Sequence, residues 1–127
     1  MNKKKKIDCL FLITKSSKST YQKLSITYSA IEPPTWALLL AQSMRSVGNE
    51  VKILDSNAED LSKEEILERI LSLSPRLICI VVYGQNVNAG TTNMSGATYI
   101  SNFLKDKKIK TPISFIGSHV QALPIET

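Results

Sequence analysis

Histidine is nearly missing from this chain of 127 residues: His119 is the only one. Cysteine is scarce too, with Cys9 and Cys79 alone, both inside apolar runs and neither beside a second Cys or a His at metal-ligand spacing. Those absences exclude a structural zinc site and leave the two thiols as buried core residues. Aromatic residues amount to 6%, and none interleaves with the basic run Lys3-Lys4-Lys5-Lys6. Residues 1–6 therefore read as a solvated tail, the rest of the chain is close to neutral, and no nucleic-acid partner is expected. No apolar run approaches the roughly 20 residues of a membrane-spanning helix, so no membrane partner is expected either. The lysine run followed by Ile7–Ile13 is no secretory leader: the apolar stretch is short, contains Asp8, and lacks a small-residue cleavage site. A cytoplasmic location follows, and with it two free thiols. No Ser-His-Asp set and no carboxylate pair can be assembled at one site, so the chain is not expected to be catalytic alone.

What is present is the pattern of one globular domain, with 43% apolar and 21% charged residues. Short apolar runs alternate with helical periodicity. Residues 7–13 (IDCLFLI), 50–54 (EVKIL), 76–83 (RLICIVVY) and 113–116 (ISFI) read as strands. Residues 35–47 read as a helix entered through Pro33-Pro34 and ended by Gly48-Asn49. Ser62-Lys63-Glu64-Glu65 is a capping box that opens a helix over 63–73, and Pro75 stops it. A third helix is expected over about 93–105, presenting Met94, Ala97, Ile100, Phe103 and Leu104. Strands buried on both faces and alternating with helices predict an α/β domain over residues 7–127. The expected architecture is a Rossmann-like or flavodoxin-like open parallel sheet of order 2-1-3-4, with helices on both faces.

Two connections are longer than such a fold needs, residues 14–34 after strand one and 84–92 after strand three. In that strand order they flank the topological switch point, where ligands bind at the carboxyl ends of the strands. The second is backbone-permissive and polar. Gly84, Gly90 and Gly96 allow close approach, while Gln85, Asn86, Asn88, Thr91, Thr92 and Asn93 supply neutral donors and acceptors. This suits a large polar ligand with amides, hydroxyls or a phosphate, and the glycine spacing matches neither dinucleotide nor Walker loops. Trp36 is expected to pack against the sheet, with a border of the ligand site as its other role. Gly117-Ser118-His119 follow strand four, where the glycine lets a ligand pass and His119 reads as a hydrogen-bonding loop residue.

Three segments, "IEPPTWALLLAQSMRSVGNEVKILDSNAEDLS" (31–62), "VVYGQNVNAGTTNMSGA" (81–97) and "FIGSHVQALPIET" (115–127), carry a resemblance. Together they resemble the amino-terminal cobalamin (vitamin B12)-binding domain of cobalamin-dependent radical S-adenosylmethionine (SAM) enzymes. The resemblance implies a corrin ring laid across the carboxyl edge of the sheet, with the cofactor's nucleotide tail in the crevice. It places Tyr83, Gly84, Gln85 and Asn86 beside the tail, Thr91, Thr92 and Met94 along the tail or corrin rim, and Gly117, Ser118 and His119 at the turn after strand four. It implies no protein ligand to a metal, because the D-x-H-x-x-G motif that supplies an axial histidine in related proteins is absent and residues 14–34 contain no His. The three-cysteine motif for an iron–sulfur cluster is also absent, so the cluster, SAM and the radical SAM catalytic domain would belong to a further part of the parent enzyme. The expectation is a domain fragment that stops before its last strand. Two other readings stand beside this one: a nucleotide- or sugar-nucleotide-binding Rossmann-like domain, and a non-catalytic regulatory flavodoxin-like module.

Overall fold

The computed structural model describes residues 6–15, 32–84 and 87–125. Its four strands are the short apolar runs, which bury both faces: β1 (Cys9–Ile13), β2 (Val51–Asp55), β3 (Leu77–Val81) and β4 (Ile113–Ile116). All pair in parallel, in the order β2-β1-β3-β4. The strands begin or end within a few residues of the expected bounds. Helix α1 (Thr35–Ser46) joins β1 to β2, α2 (Lys63–Leu73) joins β2 to β3, α3 (Val87–Asp106) joins β3 to β4, and the single turn α4 (Ser118–Ala122) follows β4. This is the Rossmann-like, flavodoxin-like open sheet, and no helix among the described residues is long and apolar enough to cross a membrane.

The core lies in two layers, one on each face. Leu10, Leu12, Ile78 and Ile80 meet α2 and α3 through Ile66, Ile70, Met94, Ala97, Ile100 and Leu104. On the other face Cys9, Phe11, Val51, Cys79 and Val81 meet α1 through Ala37 and Ala41. Two alanines at that contact bring the α1 axis close to the sheet, Leu40 and Met44 pack partly against the same layer, and Leu38 and Leu39 turn outward. Burial of side chains such as Leu10, Leu12 and Ile80, all fully enclosed, supplies about 1.5–3 kcal/mol each before entropy is counted.

The termini of these elements are fixed by local chemistry. The capping box of α2 forms as expected: Glu65 N–H donates to Ser62 Oγ, and Ser62 N–H donates to the Glu65 carboxylate at 2.8 Å. Ser74 ends α2 in the left-handed conformation, and Gly48, at φ +92°, does the same just past α1. At the amino edge of the sheet, Asp8 accepts from Glu50 N–H at 2.9 Å and faces the Arg76 guanidinium at 3.4 Å. At the carboxyl edge, fully buried Ser56 donates both its N–H and its hydroxyl to the Ile13 carbonyl, which ties β2 to β1.

Two expectations are corrected. The third helix starts at Val87, not near residue 93, so most of the polar segment after β3 is helical. A contact back to the strand end overrides weak helix formers here: Asn93 Nδ2 donates to the Tyr83 carbonyl at 3.1 Å, while inside the helix Thr92 Oγ1 donates to the Asn88 carbonyl at 2.8 Å. Trp36, expected in the core, is instead half-exposed and belongs to neither core layer. The cysteines agree with expectation: both are buried and free.

Candidate functional site

The switch point lies between β1 and β3, and the residues collected at their carboxyl ends come from three places. Tyr83 and Gly84 leave β3, the first turns of α3 carry Gly90, Thr91, Thr92 and Asn93, and Gly117, Ser118 and His119 follow β4. Packing between these groups is tight. A Cβ on Gly117 would sit 2.1 Å from the Val82 carbonyl oxygen, and one on Gly84 would sit 2.3 Å from the Ala89 side chain. A Cβ on Gly90 would lie 2.8 Å from Ser118 Oγ. The protein's own packing therefore already demands Gly117 and Gly84, where backbone is in the way, while at Gly90 the Ser118 side chain would have to move.

Above that base stand the polar groups. Thr91 Oγ1 and His119 Nδ1 are 3.2 Å apart, linking α3 to α4. His119 therefore does hydrogen-bond, but from the short helix α4 and not from a loop. Thr92 spends its hydroxyl inside α3. Met94 is buried in the core layer under α3, so its side chain is part of the packing there. Gly96 lies one turn further on and borders a different cavity, of about 470 Å³, with Ser56, Ile66 and Ile100. Gln85, Asn86 and most of the connection 14–34 lie outside the described residues.

Beside the strand ends is a cavity of about 310 Å³ lined by Tyr83, Phe115, Ile116, Gly117, Val120 and Gln121. Among the described residues no Asp, Glu, Lys or Arg lines it. Its Tyr83 wall is backed by Trp36, whose ring stacks on Tyr83 with centroids 4.8 Å apart and planes 22° from parallel. Pro33 and Pro34 start α1 at this point, with the Pro34 carbonyl accepting from Leu38 N–H at 2.9 Å, and this sets Trp36 in the first turn. Sequence reasoning gave Trp36 a place at the border of the site only as its second role, after core packing. The signal that could have found it is the pair of core alanines, Ala37 and Ala41, which place Trp36 off the buried stripe.

The chemistry available is recognition. Among the described residues no three His, Cys, Asp or Glu side chains come together to hold a metal ion. The two thiols are set back in the sheet. Burial, then the neighbouring Cys79, then Asp8 push the Cys9 thiol up to about 11, and burial also raises Cys79. Neither is an activated nucleophile. The edge offers neutral hydroxyl, amide and imidazole groups, backbone at close range, and one flat aromatic surface. That set suits a polar ligand with amides or hydroxyls and a planar part. One comparison agrees: the model of a family described as "B12 binding domain" matches residues 21–127. Neither a curated protein nor a solved structure matches the chain.

Proposed function

The chain belongs to the B12-binding domain family and is a cobalamin-binding module, and from that premise we propose that it serves a radical SAM enzyme of the methyltransferase type. In this reading the corrin rests across the carboxyl edge of the sheet and the nucleotide tail enters beside β3 and β4. The observation that carries it is the cavity at the carboxyl edge between the ends of β3 and β4, with Tyr83 as its aromatic wall, within the span of the family match. Cobalamin presents peripheral amides, a planar macrocycle and a nucleotide with a flat base, and the hydroxyl, amide and aromatic groups at this edge support that reading.

Roles follow from position. Tyr83 and Gly84 would border the tail, as the resemblance also implies for Gln85 and Asn86, Thr91 and His119 would offer hydrogen bonds to the amide rim, and Gly117 would seat α4 on the strand end so that Ser118 borders the tail. Met94, enclosed by core residues, would act by supporting α3, and Thr92 by stiffening its first turns. When bound, cobalamin supplies methyl-carrying chemistry at cobalt, and the protein binds, orients and shields it. The iron–sulfur cluster and SAM would sit on a catalytic domain elsewhere in the parent enzyme.

Titration of the folded chain with hydroxocobalamin, followed by equilibrium dialysis and the visible spectrum, tests the module. Saturable binding with a spectral change is expected; a folded chain that binds none refutes the reading. The enzyme assignment is tested by the reading frame beyond Thr127. A C-x-x-x-C-x-x-C motif there is expected, and a different catalytic domain would overturn that assignment.

A further inference from the structure

We infer that the cavity between α2 and α3 is a second binding site of this domain, and that it takes a small carboxylic acid with an apolar body, held as its anion. The site does not rest on the cobalamin reading. It lies on the face of the sheet opposite α1 and shares no lining residue with the cavity beside Tyr83. At about 470 Å³ it is the larger of these two and within the range of small-molecule sites. Ile66 of α2 and Ile100 of α3, both buried, give it an apolar wall, with Leu61 and the Tyr99 ring beside them. Ser56 also lines it, but its hydroxyl and its N–H are both spent on the Ile13 carbonyl. The interior therefore suits hydrocarbon, because Ser56 loses no hydrogen bond when water leaves.

Charge decides the other end of the ligand. Lys15, Lys63 and Glu64 line the cavity, and Asp60 pairs with Lys15. The lysines are the groups held there: their side chains are 30% and 37% exposed, against 90% for Asp60 and 65% for Glu64, which reach into water. Lys63 Nζ stands 5.5 Å from the Tyr99 ring centroid and 5.1 Å from that of Phe103, so the ammonium is drawn from α2 across to α3. Its contact with Glu64, at 4.0 Å, is at the outer limit of an ion pair. Ion pairs with such exposed partners are weak and are exchanged readily. An incoming carboxylate thus meets two ammonium groups at the edge of an apolar pocket, and the two acids nearby suit a single negative charge over a dianion.

The test follows backbone amide NMR shifts of the whole chain during titration with hexanoate and phenylacetate. Hexanamide and phenylacetamide keep the body and lose the charge, and acetate keeps the charge and loses the body. Saturable shifts within residues 56–66 and 96–100 are expected with the two acids, weaker binding with the amides, and no saturation with acetate. Lys15→Gln and Lys63→Gln should each weaken hexanoate by about three- to fivefold and leave hexanamide unchanged. Both lysines lie outside the core layers, so the variants keep the fold, and the comparison of acids with amides needs no variant at all. Amides that bind as tightly as the acids, acetate that matches hexanoate, or lysine variants with unchanged hexanoate affinity overturn the inference. So do saturable shifts at Tyr83 and Gly117 in place of those residues, or no saturable shifts with either acid. Binding of hydroxocobalamin is read separately, so failure of this site and failure of the cobalamin reading are told apart.

Discussion

Gly117→Ala is a test of whether the glycines at the sheet edge belong to the fold or to the ligand. Gly117 has φ 161° and ψ 169°, an extended conformation that alanine adopts without strain. The obstacle is space. The new Cβ would lie 2.1 Å from the Val82 carbonyl oxygen, 2.9 Å from its carbonyl carbon and 3.3 Å from its Cβ. Two of those atoms are backbone, so relief requires β3 and β4 to part by about an ångström before carbon meets oxygen at ordinary contact. That movement strains the adjacent bond from Val82 N–H to the Ile116 carbonyl, 2.7 Å long. Overpacking costs about 1–3 kcal/mol and a weakened hydrogen bond about 1 kcal/mol, so the loss is about 2–4 kcal/mol. Gly48→Ala is the matched control. Gly48 has φ +92° and no atom within 4 Å of a new Cβ, so it incurs only the left-handed backbone cost of about 1–2 kcal/mol. Urea unfolding of the ligand-free chain by circular dichroism reads both variants, and a loss of about 3 kcal/mol lowers the midpoint by roughly 1–3 M. A Gly117→Ala midpoint at or above that of Gly48→Ala would refute the steric argument.

Two further outcomes follow from the local chemistry. The Glu65 carboxyl is held below its ordinary value of 4.5, first by the Ser62 N–H and then by the Ser62 hydroxyl, so its contribution to stability is present above that value and lost as the pH falls below it. Ser62→Ala should cost about 1 kcal/mol at neutral pH, and Glu65→Gln should flatten the acid limb of the stability curve; an acid limb unchanged in Glu65→Gln would refute the linkage. The Cys9 thiol, raised to about 11 from 9.0, keeps its proton longer in the folded state, so its contribution is full below 9.0 and declines as pH rises through about 11. Alkylation of Cys9 by iodoacetamide at mildly alkaline pH should therefore run on the order of 100-fold slower in the folded chain than in urea, and equal rates would contradict its burial.

The parallel sheet was legible because its signal is redundant. Each strand is a short apolar run, each connection is long enough for a helix, and right-handed crossovers leave few arrangements. The α2 capping box was legible for a similar reason, since Ser62 and Glu65 satisfy each other within four residues. The start of α3 was not. Asn88, Gly90, Thr91, Thr92 and Asn93 are weak helix formers in isolation, and what makes them helical is distant in sequence: the Tyr83 carbonyl for Asn93 and the α4 turn for Gly90 and Thr91. Ser56 was overlooked for the same cause. Its two bonds to Ile13 span 43 positions, and nothing local distinguishes it from any serine after a strand.

The site shows that composition and role can part company within one short segment. Glycines after β3 and β4 read as openings for a ligand, yet Val82, Ala89 and Ser118 already occupy the space their missing side chains leave. Their work is to bring α3 and α4 down onto the strand ends, which makes the edge rigid before any ligand arrives. Trp36 reads as core because it is large and apolar, yet the alanine stripe of α1 turns it outward onto Tyr83. A rigid edge with one exposed aromatic plane lowers the ordering cost of binding, because neither the backbone nor the stacked rings must be fixed anew. The polar segment after β3 is thus part of the frame of this edge, since Asn93 holds the Tyr83 carbonyl and Thr91 meets His119 across α3 and α4.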